Sequence, residues 1–211
     1  EVISVADVLE VYQPEVVRYL FAGTRPSAEF AISFDLDVIK IYEDYDRCER
    51  IYFGAEEVSD KRAAKERRTY ELSQLPSVAR RISPEQPAPI QLPFRTLCNF
   101  LMISAGDTDA ALERFPGFDR TALGESLPGF KRRAECAWNW ITSYAPADFR
   151  FELKSPGSPP GDLTENERGA IATLRDEFVS NADTHDERSL AETIYRVADD
   201  AGIDRKRFFA I

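Results

Sequence analysis

The chain has 211 residues, 43% hydrophobic and 30% charged, and a formal net charge of −10 at pH 7. It is long enough to bury a core, and it contains no run of about 18 apolar residues that would predict a membrane-spanning helix. Taken alone, the acidic balance argues against a nucleic-acid partner, because phosphate binding depends on Lys and Arg.

The first predicted element covers residues 14–34, PEVVRYLFAGTRPSAEFAISF. Pro14 suits the first turn of a helix, and Gly23 suits its end. Phe30, Ile32 and Phe34 then alternate with small residues, as in a strand that is covered on one face. This stretch therefore predicts a helix, a turn and a strand in that order.

Helical periodicity dominates the rest of the chain. The spacing predicts a helix over 36–53, with i, i+4 ion pairs such as Asp46 with Arg50 on its solvent face, and a polar helix over 60–74. Four prolines in the segment SPEQPAPIQLP, 83–93, predict an extended connector.

Further helices are predicted after this connector. Gly106 should end the first of them, and Asp107 should cap the next. A capping box of Thr164 with Glu167 and a cap at Asp204 mark two later helices. With eight or nine helices and only one or two short strands, among them FRFEL before residue 154, the predicted fold class is mainly α.

Basic residues are concentrated in three stretches, which carry a net charge of +9 against −19 for the remainder. Such a distribution can hold nucleic acid on one face, although solvated helix faces give the same pattern. The ten candidate contacts are Lys61, Arg62, Lys65, Arg67, Arg68, Arg80, Arg81, Lys131, Arg132 and Arg133. Trp138 is a further candidate if it is exposed, since it could stack an unpaired base; burial between helices is the alternative.

Catalytic and metal-binding patterns are not apparent. The one histidine, His185, excludes any two-histidine motif, and no glycine-rich phosphate loop follows a strand. Cys48, Cys98 and Cys136 form no C-x-x-C pair, which argues against a zinc site or a disulfide framework and favours a reducing, cytoplasmic location. We therefore predict no catalytic residue, no metal ligand and no cofactor in this chain.

The run VYQPEVVRYLFAGTRPSAEFAISFDLDVIKIYEDYDRCERIYFG, residues 11–54, resembles the segment that follows the KMSKS signature in class I aminoacyl-tRNA synthetases. There PE-x-x-R-Y opens a helix, and the family of greatest likeness is the class I lysyl-tRNA synthetase. The resemblance is strong over residues 1–75 and continues more weakly, in helix order, to residue 211.

The resemblance implies a C-terminal portion of such an enzyme, a lysine tRNA ligase that uses ATP and magnesium. Residues 1–58 would form a stem-contact fold of a strand and helices, and residues 59–211 a helical anticodon-binding domain with a truncated C-terminus. The implied partners are tRNA(Lys) and the N-terminal catalytic domain of the same protein. Arg25 would contact the tRNA backbone or the KMSKS loop.

Two departures limit what the resemblance implies. The HIGH and KMSKS signatures are both missing, so we expect the chain alone to be inactive in lysyl-adenylate formation. Two alternatives stay open: a helical protein-interaction module whose synthetase likeness is limited to its first third, and the equivalent region of another class I synthetase, the glutamyl type.

Overall fold

The computed structural model describes residues 3–25, 27–29, 31–76, 82–155, 157–158, 161–181 and 186–211. Regular structure in these residues is helical, which confirms the mainly α prediction. A 3-10 turn, Gly124–Ser126, precedes the helix that begins at Leu127. The helices are α1 Val5–Val11, α2 Pro14–Gly23, α3 Asp37–Tyr52, α4 Asp60–Ser73, α5 Phe94–Ile103, α6 Thr108–Leu112, α7 Arg120–Leu123, α8 Leu127–Ser143, α9 Glu165–Ser180, α10 Glu187–Asp200 and α11 Arg205–Ala210.

The chain divides into two compact units, Glu1–Leu153 and Lys154–Ile211. In the first unit, α4 packs against both α2 and α3, and α8 packs against α1, α5 and α6. Helix α4 therefore shares a core with the helices that precede it. The predicted functional division between residues 58 and 59 stays a prediction about what each part contacts.

Aromatic side chains fill the centre of the first unit. Tyr42 stacks on Phe94 with 3.9 Å between ring centroids and on Tyr12 with 5.9 Å. Trp140 is fully buried beside Phe94, and its indole N–H donates to the carbonyl of Phe34 over 2.9 Å. These contacts join α1, α3, α5 and α8 around one aromatic cluster.

The predicted strand through Ile32 and Phe34 is wrong, since the described residues contain no strand; Phe30 lies outside them. Both side chains are partly buried against the core, which explains the alternating pattern. The Ser33 carbonyl accepts from the Tyr12 hydroxyl over 2.5 Å, and the Phe34 carbonyl accepts from Trp140. Side-chain donors thus take the place that a neighbouring strand would fill.

The second short strand, predicted at FRFEL, is also wrong. Phe149 lies in a turn, where its backbone N–H donates to the Pro146 carbonyl over 3.0 Å, and residues 150–153 have no regular structure. The backbone N–H of Phe151 lies 3.5 Å from the sulfur of Met102. A segment outside any ladder can satisfy its polar groups locally or with solvent.

The predicted helix signals are confirmed. Asp107 accepts from the backbone N–H of Ala110 at the start of α6, and Gly106 before it has φ +86°. Thr164 and Glu167 form a reciprocal capping box at α9. Asp204 caps α11 by accepting from the backbone N–H of Arg207 over 3.1 Å.

The second unit is held by a small apolar cluster and by one ion pair whose carboxylate, that of Glu167, is almost fully buried. Its buried residues are Ala170, Val197, Ala198 and Phe208. Arg207 Nε donates to Glu167 Oε1 over 2.7 Å, which links α11 to the first turn of α9. The hydrogen bond from Arg207, together with the backbone N–H of Thr164, lowers the pKa of Glu167 to about 2.

We expect this lowered pKa to make the second unit sensitive to acid. Because the pKa of Glu167 is depressed in the folded state, its stabilising effect is complete above the unfolded value of about 4.3 and is lost as the pH falls toward 2. Helical circular dichroism against pH should show a shallower acid loss for Glu167→Gln than for the wild type. Glu165→Gln, in the same turn of α9, is the matched control. Superimposable acid profiles for all three proteins would contradict the role of Glu167.

Candidate nucleic-acid interface

Helix α4 carries the densest basic surface in the described part of the chain. It buries Thr69, Tyr70 and Ser73 against the first unit. Its basic residues, Lys61, Arg62, Lys65, Arg67 and Arg68, are all exposed. The first three line a shallow depression of about 420 Å³ together with Ser59 and Glu66. We call this surface the α4 basic face.

The ion pairs within the α4 basic face are weak. Arg62 Nε lies 3.8 Å from Glu66, a long contact with a half-buried carboxylate, and Arg68 pairs with Glu71 at 3.2 Å between two exposed side chains. Exposed pairs of this kind contribute about 0–1 kcal/mol each. These arginines can therefore exchange their carboxylate partners for phosphates at little cost.

Arg18, the arginine of the PE-x-x-R-Y motif, closes the far end of α4. Its Nε donates to the Ser73 carbonyl over 3.0 Å and its Nη2 to the Leu72 carbonyl over 2.8 Å. A cation at the C-terminus of a helix also interacts favourably with the helix dipole. The sequence marks Arg18 by its motif, but its contact with α4 is not predictable from local spacing.

The third basic stretch, on α8, is largely paired within the protein. Lys131 Nζ lies 2.9 Å from Asp109 on α6. Arg132 donates to the Leu9 carbonyl over 2.7 Å and to Glu135 over 3.1 Å while about 44% of its side chain stays exposed. Lys131 and Arg132 are accessible cations, but each also has a structural role.

Arg133 lies inside the first unit. Its guanidinium makes two hydrogen bonds to the Asp46 carboxylate, 2.8 and 2.6 Å long, and lies 4.8 Å from the ring centroid of Tyr42. Burial alone would lower the pKa of Arg133, but Asp46 outweighs it and raises that pKa. Because Arg133 is only 7% exposed and its guanidinium is already bound to Asp46, we leave it out of the proposed tRNA contacts.

The Asp46 pairing also corrects the prediction for the solvent face of α3. Arg50 does not pair with Asp46; it and Arg47 both bind Glu56, at 3.0 and 2.6 Å. Asp46 instead faces the core and pairs with Arg133, which lies on α8, 87 residues later in the sequence.

Trp138 is partly buried and packs against the core, so most of its ring is not available for stacking. It lies against Gly106, where a Cβ atom would overlap the indole ring. The remaining exposed part lines a cleft with Met102, Ile141 and Phe151.

Arg25 is exposed in a turn closed by a hydrogen bond from the Ala28 N–H to the Arg25 carbonyl, 2.9 Å long. Its predicted contact with tRNA or with a signature loop stays a prediction. Arg80, Arg81 and His185 lie outside the described residues, so the grouping of all three basic stretches on one face also stays a prediction.

A cavity of about 420 Å³ lies beneath the proline-rich segment, and sequence reasoning did not identify it. Its polar wall is formed by residues of α2, α3, α4 and α8 together with glutamines of the proline-rich segment. Tyr70 donates to one oxygen of Glu49 over 2.7 Å, and Gln91 donates to the other over 2.8 Å. Burial raises the pKa of Glu49 despite these two donors. The remaining polar lining residues are Gln13, Glu15, Tyr45, Gln74, Gln86, Ser126 and Arg133.

The described residues contain neither a helix suited to cross a membrane nor a group of potential metal ligands. No helix in the described ranges combines the length and the apolar character that crossing a membrane requires. Among the same residues, no three His, Cys, Asp or Glu side chains are grouped as metal ligands would be.

Residues 1–76, which include α1 to α4 and the motif around Arg18, match the family model described as tRNA synthetases class I (K). Residues 1–76 therefore belong to the class I aminoacyl-tRNA synthetases. Curated relatives extend this similarity over nearly the whole chain and agree on the amino acid. The chain is a region of the class I lysyl-tRNA synthetase family, as its resemblance predicts.

Three of these relatives show the extent of the similarity. The lysine--tRNA ligase of Treponema pallidum is 42% identical over 99% of this chain, and that of Borreliella burgdorferi is 40% identical over 99%. The lysine--tRNA ligase of Pyrococcus horikoshii is 32% identical over 99%. The chain spans only 38%, 38% and 39% of the length of these proteins, respectively.

Proposed function

We propose that this chain is the tRNA-recognition region of a class I lysine tRNA ligase. It would bind and position tRNA(Lys) while a catalytic domain of the same protein attaches lysine with ATP and magnesium. The observation that carries this proposal is similarity to lysine--tRNA ligases over 99% of the chain. The single histidine in the sequence cannot supply a HIGH signature, so we assign no adenylate-forming step to these residues.

Within this function we propose two regions. Residues 1–58 would lie against the catalytic domain and the inner side of the tRNA, and residues 59–211 would reach the anticodon. Both regions would share the core of the first unit, because α4 packs on α2 and α3. Binding energy spent on orienting the tRNA would then serve a reaction that occurs elsewhere in the protein.

The α4 basic face is the surface that supports tRNA contact most directly. Lys61, Lys65 and Arg68 recur at i, i+4 and i+7, so they lie along one side of the helix. Lysines and arginines arranged in this way neutralise phosphates and set the register of an RNA without reading its sequence. Base discrimination must come from other residues that contact base edges.

Two alternatives are tested by the same experiment. The protein-interaction module assumed that synthetase likeness stops after the first third of the chain, and the relatives match far beyond that point. The glutamyl type is not favoured by the names of the relatives, which specify lysine.

A gel-shift titration with transcribed tRNA(Lys) at several salt concentrations tests the proposal. Binding should weaken steeply with salt, because each phosphate contact releases a counterion. Exchange of the anticodon bases for those of a glutamate tRNA should weaken binding at constant salt. The absence of salt-sensitive binding would support the interaction module instead.

Replacing Arg67 and Arg68 together with alanine should weaken binding to all tRNAs alike. The slope of log affinity against log salt should fall by about 1.4 to 1.8, since two phosphate contacts are lost. Arg188→Ala removes an exposed, ion-paired arginine from α10 and is the control. If the slope of the double variant equals that of the wild type, the two arginines do not contact phosphate.

A further inference from the structure

The cavity beneath the proline-rich segment combines flat apolar walls with a polar floor. Its apolar lining comes from Phe53, Ile82, Ile90, Leu92 and Phe130 together with two prolines. At about 420 Å³ it is in the range of sites that hold a small ligand or part of a larger one. The shape and lining suit a flat group that inserts one polar edge.

Gln74 leaves one polar group of this floor unmatched. The side chain is only 4% exposed, and its amide nitrogen donates to the Tyr45 hydroxyl over 3.2 Å and to Ser73 Oγ over 3.0 Å. Within the described residues its amide oxygen accepts no hydrogen bond. A polar atom that lines a cavity and lacks a partner within the protein favours a ligand that can supply one.

The charges of the lining argue against an anionic ligand. Arg133 is neutralised by Asp46, and the two other ionisable carboxyl groups of the wall are Glu15 and Glu49. A phosphate would therefore meet no free cation among the lining residues that the structure describes. A neutral, planar group with an N–H edge fits both the aromatic walls and the unmatched acceptor of Gln74.

We propose that this cavity binds one unpaired nucleobase of the bound RNA. The base would pack against the Phe53 and Phe130 side of the cavity and donate an N–H to the amide oxygen of Gln74. An unstacked base is recognised in this way by aromatic faces and edge hydrogen bonds. The choice of RNA as the ligand rests on the proposed function, and the site itself rests on the cavity and its unmatched acceptor.

Gly129 provides a way to close the cavity without disturbing the fold. It lies in the first turn of α8, is exposed at the cavity and has open space around the position of a Cβ atom. In Gly129→Leu the new side chain should occupy the entrance, and the replacement of glycine favours the helix. Gly169→Leu, at a glycine of α9 with equally open surroundings, is the matched control.

The test uses the full chain and fluorescence anisotropy with labelled hexauridylate, hexaadenylate and a short RNA duplex. Gly129→Leu should weaken binding to at least one single-stranded hexamer about five- to a hundredfold, the effect of losing one stacked base. Duplex binding should be unchanged. Gln74→Met, a second variant that keeps the side-chain length, should weaken the same hexamer about three- to tenfold without changing the salt slope.

Transcribed tRNA(Lys) separates this proposal from the proposed function. If the wild type binds tRNA(Lys) but Gly129→Leu and Gln74→Met bind the hexamers as tightly as it does, the base site is overturned and tRNA recognition stands. A wild type that binds neither hexamer also overturns the base site. If Gly129→Leu abolishes hexamer binding while the wild type ignores tRNA(Lys), the base site is supported and the proposed function fails.

Discussion

Replacing Arg133 by methionine should lower the free energy of unfolding of the first unit by about 3–5 kcal/mol. Methionine fills a similar length but leaves the Asp46 carboxylate, which is 4% exposed, without its bidentate partner. The same change removes the guanidinium from the face of Tyr42. Urea unfolding followed by tryptophan fluorescence measures the loss, because Trp140 lies in the same core.

The control is the double variant Asp46→Leu with Arg133→Met. Removal of both charges leaves no uncompensated buried carboxylate, and apolar replacements of buried ion pairs are often neutral or stabilising. The double variant should therefore recover most of the stability lost by the single one. A single variant that loses less than about 1 kcal/mol would show that the pair is not buried as described.

Replacing Gly106 by alanine should cost about 2–5 kcal/mol, for two separate reasons. The φ of +86° at this residue is strained for any residue with a Cβ atom, which costs about 1–2 kcal/mol. The added Cβ would also overlap the indole of Trp138, and overpacking of this kind costs about 1–3 kcal/mol. Thermal and urea unfolding measure the combined loss.

Gly117→Ala separates the two causes. Gly117 has φ +74°, and a Cβ atom there meets nothing within 4 Å. This control should carry the backbone strain without the overlap, so its loss should be clearly smaller. Equal losses at both glycines would mean that Trp138 moves aside freely.

Local signals predicted most of the helices because caps act over a few residues. Gly106, Asp107, the Thr164 box and Asp204 all mark helix ends where the structure has them. One helix is missing from the prediction although it has such a cap: Ser4 and Asp7 form a capping box at the start of α1. A short helix with few turns offers little periodicity to recognise.

Contacts between distant residues account for what the sequence did not predict. Alternation over Ile32 and Phe34 has the period of a strand, but a strand needs a partner, and the carbonyl groups here bind Tyr12 and Trp140 instead. Asp46 has Arg50 at i, i+4 spacing on its own helix, yet it pairs with Arg133 on α8.

The candidate surfaces were predictable to different degrees. Charge density alone predicted the α4 basic face. This helix has few apolar residues to bury, so its basic residues are exposed to solvent. Charge density equally selected Arg133, which is buried, since composition does not distinguish a solvent face from a core ion pair. The cavity at Gln74 combines residues from five separate parts of the chain, and no local pattern marks it.

The contact of Arg18 with the last turn of α4 bears on how such enzymes can be recombined. The motif arginine belongs to the segment assigned to one proposed region, whereas the carbonyls it binds belong to the other. A chimera that joined α4 of one relative to the preceding helices of another would keep these hydrogen bonds only if both parents carry the arginine at matching positions. Natural exchange of tRNA-binding parts between homologous genes should therefore favour crossover points upstream of Pro14 over any between α2 and α4.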